Sequence, residues 1–177
     1  LEKLLEDIFA SSAFRFLTLS ELSREIDQVE VVEPLASTWS ATEQDVATQR
    51  QFMSWDDPEN QIHAMQWEFT KMIISLLEKA DAQAPWFSGV REKTDQALAS
   101  DQFWWASAKP WWSLEMIENG AWRFLDIVRS MPGLSENILK RAEELYERIV
   151  LMAFAWQRTG YVRKLSQAQR AWIKIPF

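Results

Sequence analysis

The chain of 177 residues contains no cysteine, a single histidine and only 4 glycines. Without cysteine there are no disulfides, no thiolate metal ligands and no cysteine nucleophile, which fits a reducing, cytoplasmic setting. One histidine and no cysteine leave only a carboxylate-rich metal site, and no spacing of Asp and Glu indicates one. The glycines form no phosphate-cradling loop. Basic charge is also scarce: the net charge is −7 and the sequence pI is about 4.9. A surface that tracks a phosphate backbone is therefore not expected, and neither is nucleic acid as a partner. The most apolar run, Ile149 to Trp156, is eight residues long, well below the roughly 20 that span a bilayer. No charged-then-apolar signal segment opens the chain, so no membrane association is expected. No cofactor is indicated.

The chain is, by contrast, rich in tryptophan, with 11 residues. Hydrophobic residues make up 47% and charged residues 25%, the balance of a globular domain able to bury about 70% of its unfolded surface.

Periodicity predicts an all-α fold. Residues 2–13 read as a short helix, and Thr18 with Glu21 forms a capping box that opens a second, about 19–27. Gln28–Glu33 alternates and is β-branched, which predicts a short extended piece ended by Pro34. Residues 35–55 form a long polar connection with a weak helix at about 43–52. Asp57 as N-cap and Pro58 at the first helical position predict a long helix to about Asp81. Its stripe is Ile62, Met65, Phe69, Met72, Ile73, Leu76, Leu77 and Ala80.

Ser88 can cap the next helix, whose stripe runs Val90, Thr94, Ala97, Leu98, Asp101, Trp105. After Pro110 a third helix covers about 112–131, with Leu114, Ile117, Ala121, Leu125 and Val128, and Pro132-Gly133 closes it. Ser135 and Glu136 open the fourth, which Gly160 ends. Its stripe of Ile138, Ala142, Leu145, Ile149, Met152 and Trp156 is widened by Val150, Ala153 and Phe154. Residues 161–172 give one more short helix. The expectation is an up-and-down bundle of about four long helices, 57–177, preceded by short helices and the long irregular connection, 1–56.

Some residues break the pattern. Asp101 holds a stripe position, so its carboxylate either bonds a neighbouring backbone or arginine, or faces a polar ligand in a cleft. Phe103, Trp104, Trp105, Trp111 and Trp112 fall within ten residues. Adjacent helical residues diverge by ~100°, so these indoles cannot share one core. They fit either an aromatic core with an interdomain interface or a surface on which sugar rings stack. Trp122 sits among Glu115, Glu118 and Asp126, where the N-terminal elements or a partner would cover it. Trp39 and Trp55 read as buried anchors of the connection. His63 lacks partners for a triad, and no acid pair marks a catalytic centre.

The stretch Gln96-Ala97-Leu98-Ala99-Ser100-Asp101-Gln102-Phe103-Trp104-Trp105 resembles a segment of glycoside hydrolase family 57, in the helical region that follows the catalytic (β/α)7 barrel. Phe16-Leu17-Thr18-Leu19-Ser20-Glu21 is similar to the phrase that ends such barrels. Ser37-Thr38-Trp39 and Trp55-Asp56-Asp57-Pro58-Glu59-Asn60 are similar to the family's linker into the helices. Together these cover roughly residues 14–112. Gln102-Phe103 stands between Asp101 and the first tryptophan, where the family usually has Asp and Trp adjacent.

The resemblance implies a non-catalytic helical region that lines an α-glucan or oligosaccharide cleft. Asp101, Trp104, Trp105, Trp111, Trp112 and Trp39 are the candidate substrate contacts. The family's nucleophile and acid/base, carboxyls about 5 Å apart, would lie on barrel strands upstream of Leu1 in the same polypeptide, and a first residue other than methionine fits such a piece. The chain alone has no catalytic residues to assign. The alternative is a stand-alone interaction or self-association module with a tryptophan-rich interface.

Overall fold

The computed structural model describes residues 2–26, 30–98, 101–109 and 111–170, with side chains to Ser166. Among the described residues the fold is all-helical, with no strand. It forms two compact units, Leu1–Ala36 and Ser37–Phe177.

The first unit holds α1 (Glu2–Ala10) and α2 (Leu19–Glu25). The expected capping box is present: Glu21 N–H donates to Thr18 Oγ1 at 3.3 Å, and Thr18 N–H to the Glu21 carboxylate at 2.8 Å. Phe9 stacks on Phe16 at 4.3 Å, and Arg15 pairs with Glu25. No described residue of this unit is buried. The extended piece expected at 28–33 lies partly outside the described residues, and residues 30–33 are irregular, with no ladder partner.

In the second unit, Thr42 and Asp45 form a capping box that opens α3 (Glu43–Ala47). This helix is shorter than expected, and Gln49 follows it with a left-handed φ of 57°. Next comes α4 (Gln61–Glu78), which starts at Asn60 rather than Asp57. Asn60 Oδ1 accepts from the N–H groups of Ile62 (2.9 Å) and His63 (3.2 Å), two of the orphan donors of a helix start. Asp57 instead accepts from Glu59 N–H at 2.9 Å.

The largest departure is at the next helix. α5 (Phe87–Ala97) starts after Trp86 with no side-chain cap, so Ser88 lies inside it, and it stops at Ala97. Gln102 Nε2 donates to Ala97 O at 2.9 Å, satisfying a terminal carbonyl. The chain then restarts in a new phase as α6 (Asp101–Trp104). Asp101 therefore leaves the stripe and is exposed.

Ser113 caps α7 (Leu114–Arg129) through Met116 N–H, and α8 (Glu136–Thr159) closes at Gly160 with φ 74°. Gly133, φ 76°, makes the turn between them. The last helix, α9, spans Tyr161–Arg170. α7 and α8 run antiparallel: Glu118 meets Tyr146, Arg129 meets Glu143, and Trp112 meets Gln157. α4 packs on both, with Phe69 edge-on to Phe124 at 5.4 Å. Ile62, Ile73, Ile117, Leu145 and Ile149 are fully buried between them, each burial stabilising by about 1.5–3 kcal/mol. Phe154, expected to widen the α8 stripe, is 54% exposed. It lies five residues past Ile149, about 140° around the helix.

Candidate functional site

The site is built on the segment from α6 to α7. A four-residue helix cannot satisfy its own C-terminal carbonyls, and side chains from α4 and the turn before it do so here. Gln66 Nε2 donates to Gln102 O at 2.9 Å, His63 Nε2 to Phe103 O at 2.9 Å, and Asn60 Nδ2 to Ala106 O at 2.8 Å. Ser54 Oγ donates to Lys109 O at 3.1 Å, and Lys109 Nζ reaches the buried Asp57 carboxylate at 3.3 Å. Asn60, His63 and Gln66 are all buried.

His63 is fully buried, and its Nδ1 accepts from Asp57 N–H at 3.1 Å. These partners assign the neutral tautomer with the proton on Nε2. Burial holds the ring below the usual histidine value of 6.5; the Phe103 carbonyl and the charges of Asp57 and Asp56 offset this in part. With both nitrogens engaged, neither is free to act as a base or metal ligand. No group of three His, Asp or Glu side chains able to hold a metal occurs among the described residues.

Beyond Ala106 the backbone is strained. Ala108 is fully buried with φ 53°, a left-handed conformation that costs a non-glycine residue roughly 1–2 kcal/mol. Hydrogen bonds hold it there: Ala108 N–H to Trp111 O at 2.7 Å, Ser107 Oγ to Trp111 O at 3.2 Å, and Ser166 Oγ to Ala108 O at 3.0 Å. Ser113 N–H donates to Trp105 O at 3.1 Å and closes the loop.

This frame divides the aromatic side chains into two clusters. In the first, Trp104 stacks on Trp111 with centroids 5.3 Å apart and planes 12° from parallel. Trp39 lies 6.4 Å from Trp104 and 6.1 Å from Trp55. Trp67 stacks on Phe103 at 4.5 Å and donates its N–H to Trp55 O at 3.0 Å. Trp39 is 80% exposed and Trp111 49%. The indole N–H groups of Trp55 and Trp104 are buried with no protein partner. An open groove lined by Asp56, Ala64, Trp67, Glu68 and Lys71 adjoins this cluster at Trp67.

In the second cluster Trp112 stacks on Trp156 at 5.8 Å, and Trp156 meets Tyr161 at 4.8 Å. Trp112 Nε1 donates to Gln157 Oε1 at 2.7 Å.

Of the six candidate contacts, Trp39, Trp104 and Trp111 come together. Trp112 belongs to the second cluster, and Trp105 packs half-buried against the core. Asp101 is exposed, with no neighbouring backbone or arginine hydrogen-bonded to its carboxylate among the described contacts. Trp39 is not a buried anchor; Thr38 ties the connection instead, donating to Gln51 O at 2.8 Å. Trp122 is 45% exposed and contacts Tyr146 edge-on and the Arg129 guanidinium at 5.7 Å. Trp67, Ser54, Asn60 and Gln66 were not legible as site residues. A signal existed: polar residues at 60, 63, 66 and 70 recur at helical spacing beside the apolar stripe of α4.

Comparison with models of known families, with curated proteins and with solved structures finds no match to this chain. No described helix is long and apolar enough to cross a membrane.

Proposed function

We propose that the chain is a non-catalytic, carbohydrate-binding helical region of a carbohydrate-active enzyme, similar to the region that follows the barrel in glycoside hydrolase family 57. The observation that carries this reading is the Trp104–Trp111 stack with Trp39 tilted against it, since Trp39 and Trp111 keep large exposed faces. Exposed clustered aromatic surface marks a binding site. A pyranose ring offers a C–H face that stacks on indole, while its hydroxyls need carboxylates, amides or ammonium groups. Asp56, Glu68 and Lys71 in the groove beside Trp67, and the exposed Asp101, are groups of that kind. The buried polar side chains around α6 hold the loop in a fixed shape, which lowers the ordering cost of binding. An α-glucan or oligosaccharide is the ligand class in keeping with the resemblance.

Titration with a malto-oligosaccharide tests this by tryptophan fluorescence. The expected result is a saturable change that Trp39→Ala diminishes, with helix content by circular dichroism unchanged. An absence of any change at millimolar sugar would sink the reading.

A second reading rests on the first unit, where Leu19 is 85% and Val31 96% exposed and nothing described is buried. Such a segment fits a protein-interaction module. Partner capture that needs residues 2–35, together with indifference to sugars, would favour it.

A further inference from the structure

The outward face of α8 carries a second surface, independent of the glycan reading. Leu151 is 68% exposed and Phe154 54%, while Ile149 and Ala153 on the opposite side are fully buried in the core. Glu147 and Arg158 extend the same face and are exposed, and neither joins an ion pair among the described residues. The positions 147, 151, 154 and 158 are spaced 4-3-4, the spacing of a two-helix seam.

We propose that this seam is where a second copy of the chain docks, α8 against α8, antiparallel about a twofold axis between Met152 and Ala153. The order along the seam is acidic, apolar, apolar, basic. A twofold axis at its midpoint sets Leu151 against Phe154 of the second copy and Glu147 against Arg158 of the second copy, so the face complements itself. Antiparallel seams pair positions in this alternating manner. The flanking positions also avoid conflict: Arg148 falls opposite Ala155, and Val150 opposite Gln157, so no like charges meet. A parallel arrangement would set Glu147 on Glu147 and Arg158 on Arg158. The seam is about 16 Å long by helical rise, so the association is weak and of the transient class. It leaves the Trp39–Trp104–Trp111 platform uncovered by the seam contacts.

Sedimentation equilibrium of the full chain from about 1 µM to about 1 mM tests the proposal. The expected result is a reversible monomer–dimer equilibrium. Glu147→Arg and Arg158→Glu each weaken it about tenfold or more, because every dimer loses two ion pairs and gains like-charge contacts. The Glu147→Arg/Arg158→Glu double variant restores it to near the wild-type value, and Leu151→Asp abolishes it. All three substitutions are at exposed positions, and circular dichroism checks that the fold is kept. A strictly monomeric chain across the range overturns the proposal. So does a dimer indifferent to Glu147→Arg, a double variant that fails to recover, or association that disappears with Trp111→Ala.

Discussion

Trp111 stacks on Trp104 at the exposed platform, whereas Trp112, the next residue, stacks on Trp156 and gives its N–H to Gln157. The two indoles share composition and neighbourhood in sequence, yet one is half in solvent and the other is tied to α8. The difference lies in what surrounds each ring. Around Trp111 the strained Ala108 donates to its carbonyl, and Asn60 and His63 hold the backbone upstream at Ala106 and Phe103, while Trp39 and Trp111 stay largely open to solvent. Trp112 instead bonds its polar edge to Gln157 and stacks its face on Trp156, and both indoles pack half-buried against the helical core. Density of tryptophan therefore does not separate the platform from the core; an open face on a rigid frame does.

The frame can be broken first. His63→Ala leaves Asp57 N–H buried without a partner, removes one of the two donors to Phe103 O and opens a cavity, so a loss of about 3–5 kcal/mol is expected in urea denaturation. Trp112→Ala removes a half-buried stack and one hydrogen bond, for about 2–3 kcal/mol by the same measurement.

A smaller effect comes from acid. The folded state holds His63 neutral below its usual 6.5, whereas the unfolded chain takes up the proton there. The stability that the neutral ring contributes is complete above pH 6.5 and is lost as pH falls towards the depressed folded value, by up to about 1.4 kcal/mol per pH unit. In a His63→Gln variant this slope between pH 6.5 and the carboxylate range should vanish; a slope that persists would place its source elsewhere.

The same contrast explains what was legible in the sequence. α7 and α8 were readable because apolar spacing and terminal signals agree: Ile117, Ala121, Leu125 and Val128 are buried, and Gly160 takes the left-handed turn that ends α8. The Thr18–Glu21 box was readable because it is local. The start of α4 was not, since Asp57 and Asn60 are both good caps. A bond from Asn60 to Ala106, 46 residues away, favours Asn60. The break between α5 and α6 depends on Gln102 and Gln66 reaching backbone carbonyls, which no period reveals. The pairing of Trp104 with Trp111 and of Trp112 with Trp156 is likewise tertiary. So the helices were visible, along with the residue types of the platform, but not which indoles face outward.

The most direct test of the account is malto-oligosaccharide titration of Trp111→Ala and Trp112→Ala side by side, below the temperature at which either unfolds. The prediction is that Trp111→Ala loses the fluorescence response at little cost in stability, while Trp112→Ala is destabilised and still responds. A response that survives Trp111→Ala and disappears with Trp112→Ala would contradict it.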